Sequence, residues 1–406
     1  TNFIGMFVFS IGWSVLENIV ADSTNLITTF VLVPVPMFIL MFALFRHTGL
    51  AVRVFDAIDK LLGRLPGRLC YLTVIGGALF STLTGSSMAN TAMLGALMVP
   101  EMERRGYSRA MSMGPIMGTG GLAMIIPPSA LAVLLASIAE VDVGRLLIAG
   151  IIPGFLLAAL YAAMIFVRLK FNPELAPSYD VPPATWREKI AAICINILPM
   201  GFVVFMVVGV IILGIATPSE AAVFGAFGVL ILAIVYRRLT WKSLSTSLME
   251  TARTSGMVFF ILMNSTVFSQ LLAMSGATSG LLGFATGYHL PPLAVLAILY
   301  GVLTLLGMFM DPVSMILITV PVFYPLAKTL GFDPIWFSLI VLISLEMGNL
   351  TPPFGLLLYV MMGMVPGVSL LEVSAAAFPY VLGDIAMVIL VAIFPGLALF
   401  LPNLMS

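Results

Sequence analysis

Long hydrophobic runs separated by short polar stretches dominate the chain, and nearly all the positive charge sits in those polar stretches. The clusters are Arg46, Arg53, Lys60, Arg64 and Arg68; Arg104, Arg105 and Arg109; Arg168, Lys170, Arg187 and Lys189; and Arg237, Arg238, Lys242 and Arg253. Only Arg145 and Lys328 lie elsewhere. A bilayer core takes about 20 apolar residues per helix, and positive loops stay in the cytoplasm. All four clusters are therefore expected on the cytoplasmic side. Residues 25–45, 146–168, 219–236 and 333–363 then run inward, and 109–138, 190–214, 250–272 and 371–400 run outward.

One segment breaks the alternation. Residues 69–103 are apolar, yet a cytoplasmic cluster flanks them at each end. They must enter and leave on the same face, as two half-helices meeting near Thr84-Gly85-Ser86-Ser87. Such an interruption is tolerated only where protein or a watery cavity surrounds it. Residues 292–328 form a second apolar pair, interrupted at Met310-Asp311-Pro312, and read as a hairpin entering from outside. Pro127-Pro128 and Pro352-Pro353 break two further helices, because proline removes a donor and clashes with the preceding turn. A Pro-rich cytoplasmic linker fills 171–186, and 273–291 is a nearly uncharged periplasmic stretch. Residues 49–66 read as an amphipathic brace along the cytoplasmic interface.

The punctuation repeats at an offset of 225 residues: Ser86 with Asp311, Pro100 with Pro325, Gly106 with Gly331, Pro127-Pro128 with Pro352-Pro353. An odd number of crossings separates the halves, so the second is inverted. Inverted repeats with paired broken helices are the architecture of secondary transporters, with the binding site near the midplane. The expected fold is an all-α polytopic membrane protein with inverted-topology repeats, each holding a re-entrant helical hairpin and a broken transmembrane helix.

Composition agrees. Of 406 residues 61% are hydrophobic and only 9% charged, with a mean hydropathy of +1.15, against about 25% charged in a soluble domain. The 18 basic and 18 acidic residues cancel, which leaves no basic surface for nucleic acid. Cys70 and Cys194 show no paired spacing, and His47 and His289 sit beside turns, so neither a disulfide framework nor an H-E-x-x-H metal helix is signalled. No Walker loop is present.

A broken helix exposes N–H groups at one end and carbonyls at the other, with opposite partial charges. The first suit a carboxylate or sulfonate, the second a small cation such as Na⁺. Candidate substrate groups are Ser86, Ser87, Asn90, Thr119, Pro127, Ser129, Ser314 and Asn349, with Thr91 beside them. Candidate Na⁺ ligands come from Gly85, Ser86, Asp311, Pro312, Thr351 and Pro352. Individually, Ser, Asn and Thr also serve as interhelical hydrogen bonders in membranes. Asp311 has no Lys or Arg at matching depth, so it reads as a sodium ligand or as an N-cap of the second half-hairpin. Glu220 reads as a first-turn acid with Thr217 or Ser219 as cap. Glu346, just ahead of the second break, is a site residue or a partner for helix ends; Glu17 and Asp384 are unassigned.

The run Gly85-Ser86-Ser87-Met88-Ala89-Asn90, then Val99-Pro100-Glu101-Met102, Ile125-Ile126-Pro127-Pro128-Ser129, Ala149-Gly150-Ile151-Ile152-Pro153-Gly154, Ala216-Thr217-Pro218-Ser219-Glu220, Gly331-Phe332-Asp333-Pro334 and Thr351-Pro352-Pro353-Phe354-Gly355 resembles the large membrane subunit of TRAP (tripartite ATP-independent periplasmic) transporters. The resemblance spans nearly the whole chain. It implies Na⁺-driven import of organic acids in a bacterial inner membrane by an elevator motion, with no cofactor and no enzyme activity. In that reading residues 1–68 hold scaffold helices and a cytoplasmic arm, 69–170 the first transport half, 171–187 the linker, 188–291 scaffold helices and a periplasmic arm, and 292–406 the second transport half. The resemblance also implies a periplasmic substrate-binding protein and a small four-helix membrane subunit as partners. Two features depart from the family. Pro36-Met37-Phe38 leads to Phe42-Ala43 where a Gly-Glu pair is usual, and an earlier hydrophobic helix is expected before Thr1. The competing readings are a self-sufficient carrier of related inverted-repeat design and an intramembrane hydrolase using Ser86 or Ser87, for which no mid-span base exists.

Overall fold

The computed structural model describes residues 32–62, 65–179, 185–276 and 290–405, with scattered positions between 17 and 28 and at 280 and 283. The start of the 25–45 span, His289, most of the arm at 277–289 and linker residues 180–184 lie outside the described residues. All regular structure among the described residues is helical.

Helix α1, Pro34–His47, opens with proline in its first turn, where a missing N–H is harmless, and ends on Arg46 and His47, which complement the dipole. Both side chains reach Glu250 on α12 (Trp241–Met274), His47 Nε2 lying 2.7 Å from its carboxylate. The amphipathic brace is α2, Leu50–Leu61. It buries Leu50, Val54, Phe55, Ala57 and Ile58, leaves Asp56 and Lys60 out, and ties Asp59 to Arg68 at 2.8 Å.

The first hairpin is α3, Arg68–Thr84, and α4, Ser87–Arg104. Then α5, Arg109–Ile125, breaks at 126–129 and α6, Ala130–Ile138, leaves at 44° to it. Helices α7 (Val143–Ala149) and α8 (Ile151–Phe171) follow as one apolar run of 29 residues. After the linker come α9 (Trp186–Ala192), a π-turn at Ile193–Ile197, α10 (Leu198–Ile212), α11 (Pro218–Val235) and then α12. Helix α11 begins with a reciprocal capping box: Thr217 Oγ accepts from Glu220 N–H, and Glu220 accepts from the Thr217 N–H and hydroxyl at 2.8 Å. These bonds give the exposed Glu220 the capping role expected for it.

The second hairpin is α13, Pro292–Gly307, and α14, Pro312–Thr329; α15, Pro334–Leu350, breaks at 351–355 into α16, Leu356–Met364. Helices α17 (Leu370–Ile393) and α18 (Gly396–Asn403) close the chain. The offset noted in the sequence recurs in the helix ends: 87 to 312 and 104 to 329 for α4 and α14, 109 to 334 and 125 to 350 for α5 and α15. The caps also match, Ser86 with Asp311 and Ser108 with Asp333, as do the left-handed turns at Gly106 and Gly331 and the cis bonds of the two Pro-Pro pairs.

Helices α5 and α15 form the centre and are buried from Met111 to Ile125 and from Ile335 to Leu350. Each packs against both arms of the hairpin preceding it, and they pack against each other. The far halves cross over reciprocally: α16 lies on α4, and α6 lies on α14. Separately, α1 packs on α11 and α12, and α10 on α11. The outer faces of α10 and α11 expose Phe202, Phe205, Phe224, Phe227 and Ile231, an apolar surface suited to lipid. Five described helical runs are long and apolar enough to cross a membrane, and the bent pair α5–α6 makes a sixth.

The closest helix approach in the second half is backbone to backbone. A Cβ on Gly348 would lie 2.6 Å from Gly307 Cα, a spacing that small residues alone permit. Gly348→Ala is expected to destabilise the protein by about 1–3 kcal/mol, seen as a lower Tm in detergent. Gly301→Ala, with nothing within 4 Å of its Cβ position, should leave Tm unchanged or slightly raised.

Candidate functional site: two hairpin tips and two helix breaks

At the first tip Gly85 adopts φ 59°, and a Cβ there would lie 2.2 Å from the Phe42 ring of α1, so conformation and space both require glycine. Ser86 turns the chain into α4 and accepts from Ala89 N–H at 3.3 Å. Ser87 is buried one residue on. Behind the tip, the fully buried Asn90 Nδ2 donates to Ser81 Oγ at 2.6 Å and to the carbonyls of Thr119 and Gly77 at 3.3 and 3.4 Å. Ser81 Oγ also donates to the Thr119 carbonyl at 2.9 Å. The Thr119 hydroxyl turns away, to Pro115 O at 2.6 Å. Asn90 Oδ1 and Thr91 Oγ1 are buried and have no hydrogen-bond partner. Ser81, Asn90 and Thr119 thus form one polar knot pinning the first hairpin to α5.

Prolines inside the helices free carbonyls one turn back, and side chains of neighbouring helices take them up. Pro115 leaves Met111 O without its helical donor, and the Cys70 thiol donates to it at 3.4 Å. Pro321 does the same to Leu317 O, which accepts from Ser265 Oγ at 3.0 Å. That second bond joins α12 to the second hairpin.

At the first break Pro127, Pro128 and Ser129 are all buried. Ser129 caps α6 by accepting from Ala132 N–H at 3.2 Å and donates to Met124 O at 2.9 Å, so its hydroxyl spans the gap between the two half-helices.

At the second tip Asp311 is an N-cap. Its Oδ2 accepts from Val313 and Ser314 N–H at 3.0 and 3.1 Å, and Oδ1 accepts from Ser314 Oγ at 2.5 Å. Of the two roles open from sequence, capping is the one this geometry displays. A carboxylate has about four acceptor positions, so one remains for a cation. Pro312 is buried beside it. Phe309 at the tip lies 5.5 Å from Phe354 in the second break, centroid to centroid, which brings tip and break together. There Asn349 is buried, Thr351 Oγ1 donates to Met347 O at 2.6 Å, and Gly355 N–H bonds Thr351 O at 3.1 Å across Pro352.

The candidate residues therefore form two sets. One joins Gly85, Ser86, Ser87, Asn90 and Thr119 at the first tip, with Pro127 and Ser129 further along the same broken helix. The other joins Asp311, Pro312 and Ser314 to Asn349, Thr351 and Pro352. Packing of α4 on α16 links them, with Leu357 reaching to 3.6 Å of the Gly120 Cβ position. A cavity of about 1000 Å³ opens between α12, α6 and α14, with Ser137, Glu140, Thr266, Tyr324 and Lys328 in its wall. The sequence reading did not select Ser81, which gives no signal except its place in an apolar helix. It also left Asp384 unassigned, although an intramembrane carboxylate is a functional candidate by default.

Comparison with known proteins places this geometry. Residues 2–397 match the model of the tripartite ATP-independent periplasmic transporter, DctM component. The C4-dicarboxylate TRAP transporter large permease protein DctM of Pseudomonas aeruginosa is 32% identical over 377 residues, covering 92% of this chain and 86% of that protein. The protein of the same name in Rhodobacter capsulatus is 30% identical, covering 98% and 93%. The ectoine TRAP transporter large permease protein TeaC of Halomonas elongata is 27% identical, covering 99% and 93%. Among solved structures, the Alcanivorax borkumensis YdaH transporter shares the fold, with a TM-score of 0.67 over 95% of this chain and 90% of that one at 14% identity. The chain belongs to the TRAP transporter family as its large membrane component, of the DctM type, a transporter subunit and not an enzyme.

Proposed function

We propose that the protein imports a small organic acid anion, a carboxylate or sulfonate, across the bacterial inner membrane, driven by Na⁺ and by an elevator motion. A small four-helix membrane subunit and a periplasmic substrate-binding protein complete the transporter. The observation that carries this reading is the matched pair of capped tips and Pro-Pro breaks at a constant displacement, with far halves exchanged between repeats. Each tip aims the N–H end of a half-helix (α4 or α14) and the carbonyl end of its partner (α3 or α13) into one region. That combination accepts an anion and a hard cation without any Lys or Arg at the tips.

Residues 69–170 and 292–400 are the moving unit in this reading, and 1–68 with 188–291 the scaffold. Contacts between them include Phe42 on the Gly85 tip, Phe55 on Gly76 and Ser265 on Leu317. Net entry of two positive charges at 100 mV would contribute about 4.6 kcal/mol to accumulation. The relatives' names include dicarboxylates and the zwitterion ectoine, which supports a pocket of amides and hydroxyls whose cargo is chosen by the periplasmic partner.

The inverted arrangement is testable directly. With Cys194 replaced by Ser, Arg104→Cys should react with an impermeant thiol reagent only from the cytoplasmic side and Thr329→Cys only from the periplasmic side; labelling of both from one side would refute inversion. Asp311→Ala should lose the cap, about 1 kcal/mol, together with Na⁺-stimulated uptake. Asp311→Asn keeps an N-capping oxygen but not the charge, so its Tm should match the parent while Na⁺ activation shifts to higher concentration; an unchanged Na⁺ curve would leave capping as the only role. In proteoliposomes, uptake should require the periplasmic protein, loaded with whichever anion raises its Tm most in a thermal-shift screen. Full uptake without that protein would establish a self-sufficient carrier instead.

A further inference from the structure

Two carboxyl groups lie in the interior of the transport halves, away from the tips: Glu346 on α15 and Asp384 on α17, each fully buried. Tyr161 on α8 donates to Asp384 Oδ1 at 2.5 Å. The remaining oxygens, Asp384 Oδ2 and both of Glu346, have no hydrogen-bond partner. Helices α15 and α17 pack on each other and both pack on α5, which sets the two carboxyls in the same part of the interior. Glu346 lies flat on α5 at Gly121, where a Cβ would fall 1.8 Å from its Oε1. A glycine in α5 thus makes the room that this carboxyl fills.

No cation answers these charges. The titratable groups facing the pair are Tyr161 and Tyr380, in edge contact with each other, and Tyr300 on α13. Among neighbouring elements, Arg109 of α5 is engaged with Glu103 and Glu372, Arg145 of α7 with Asn403, Tyr324 of α14 with Ser338, and Tyr359 of α16 with Pro353 O. Arg168, near the end of α8, has a buried nitrogen of its own without a hydrogen-bond partner. Helices α6 and α18 carry no titratable side chain.

Two ionised carboxylates in a dry interior cost several kcal/mol each when nothing pairs them. A sodium ion would need a shell of several oxygens around open space, yet Glu346 is pressed against backbone on one side, and no group of three metal-ligating side chains occurs among the described residues. A proton needs only one acceptor and one neighbour. We propose that Glu346 and Asp384 form a buried proton-binding site in the moving unit, the proton residing on Glu346 and bridging to Asp384 Oδ2 while Tyr161 holds Oδ1. One charge then remains, with two O–H donors on it, and one proton supplied by water accounts for the change of state.

The site does not depend on sodium at the tips, so a negative result at Asp311 leaves it untouched. It is read in the membrane-reconstituted full-length protein by infrared difference spectroscopy in H₂O and D₂O. The wild type should show the C=O stretch of a protonated carboxylic acid at neutral pH, and that band should disappear in Glu346→Gln and shift in Asp384→Asn. Tm of the wild type should fall as alkaline pH removes the proton, and that fall should be lost in Glu346→Gln, whose amide keeps a donor toward Asp384. The wild-type spectrum needs no variant to fold. No acid band at neutral pH, a band that both variants leave unchanged, or a band abolished by adding Na⁺ to the wild type would each overturn the proposal; the last would mark a sodium site.

Discussion

Every backbone N–H and C=O inside this protein needs a partner, because hydrocarbon supplies none. The interruptions at both tips and both breaks exist only because that demand is met locally. Ser86 and Asp311 cap the second arms of the hairpins, and Ser129 bonds to both sides of its break. Carbonyls released by Pro115 and Pro321 are taken by Cys70 and Ser265 from neighbouring helices. The same requirement gives Ser86, Asp311 and Ser129 their places, each closing a gap that a tip or a break opened.

Satisfied backbone allows tight packing, and tight packing builds the centre. Helices α5 and α15 are buried on all sides and lined with residues small enough to admit their neighbours: Gly121 receives the Glu346 carboxyl, Gly118 the Tyr380 ring, and Gly348 meets Gly307 backbone to backbone. Interiors packed this closely have low compressibility and transmit strain. The two hairpins are locked to these helices by the Asn90 knot and by the Phe309–Phe354 contact. Helix α1 is held to α11 and α12 and clamped to Glu250 through Arg46 and His47. A cavity opens between α12, α6 and α14.

Much of this was legible in the residues alone. Proline pairs, left-handed glycines and capping residues act within a few positions of themselves, so their spacing located the helix ends of α4, α5, α14 and α15 and the arm helix α2 without any tertiary information. Charge placement has a similarly local basis, since desolvation excludes Lys and Arg from apolar spans wherever the chain goes. The Thr217–Glu220 box was readable as a cap because its two partners lie three residues apart. Asp311 was left with two roles, since a cap and an ion ligand use the same side chain in the same place.

Local chemistry therefore determined the elements, their interruptions and the family likeness carried by them. Tertiary structure alone decided which distant groups meet. Asn90 with Ser81 and Thr119, α16 on α4 with α6 on α14, and Tyr161 with Asp384 all join residues far apart in sequence. Hydropathy measures how a residue partitions between water and lipid and says nothing about its partner. That is why a buried carboxyl such as Glu346 looked like a neighbour of the second break, and only folding showed it lying on Gly121, on a helix packed against the one that carries Asp384.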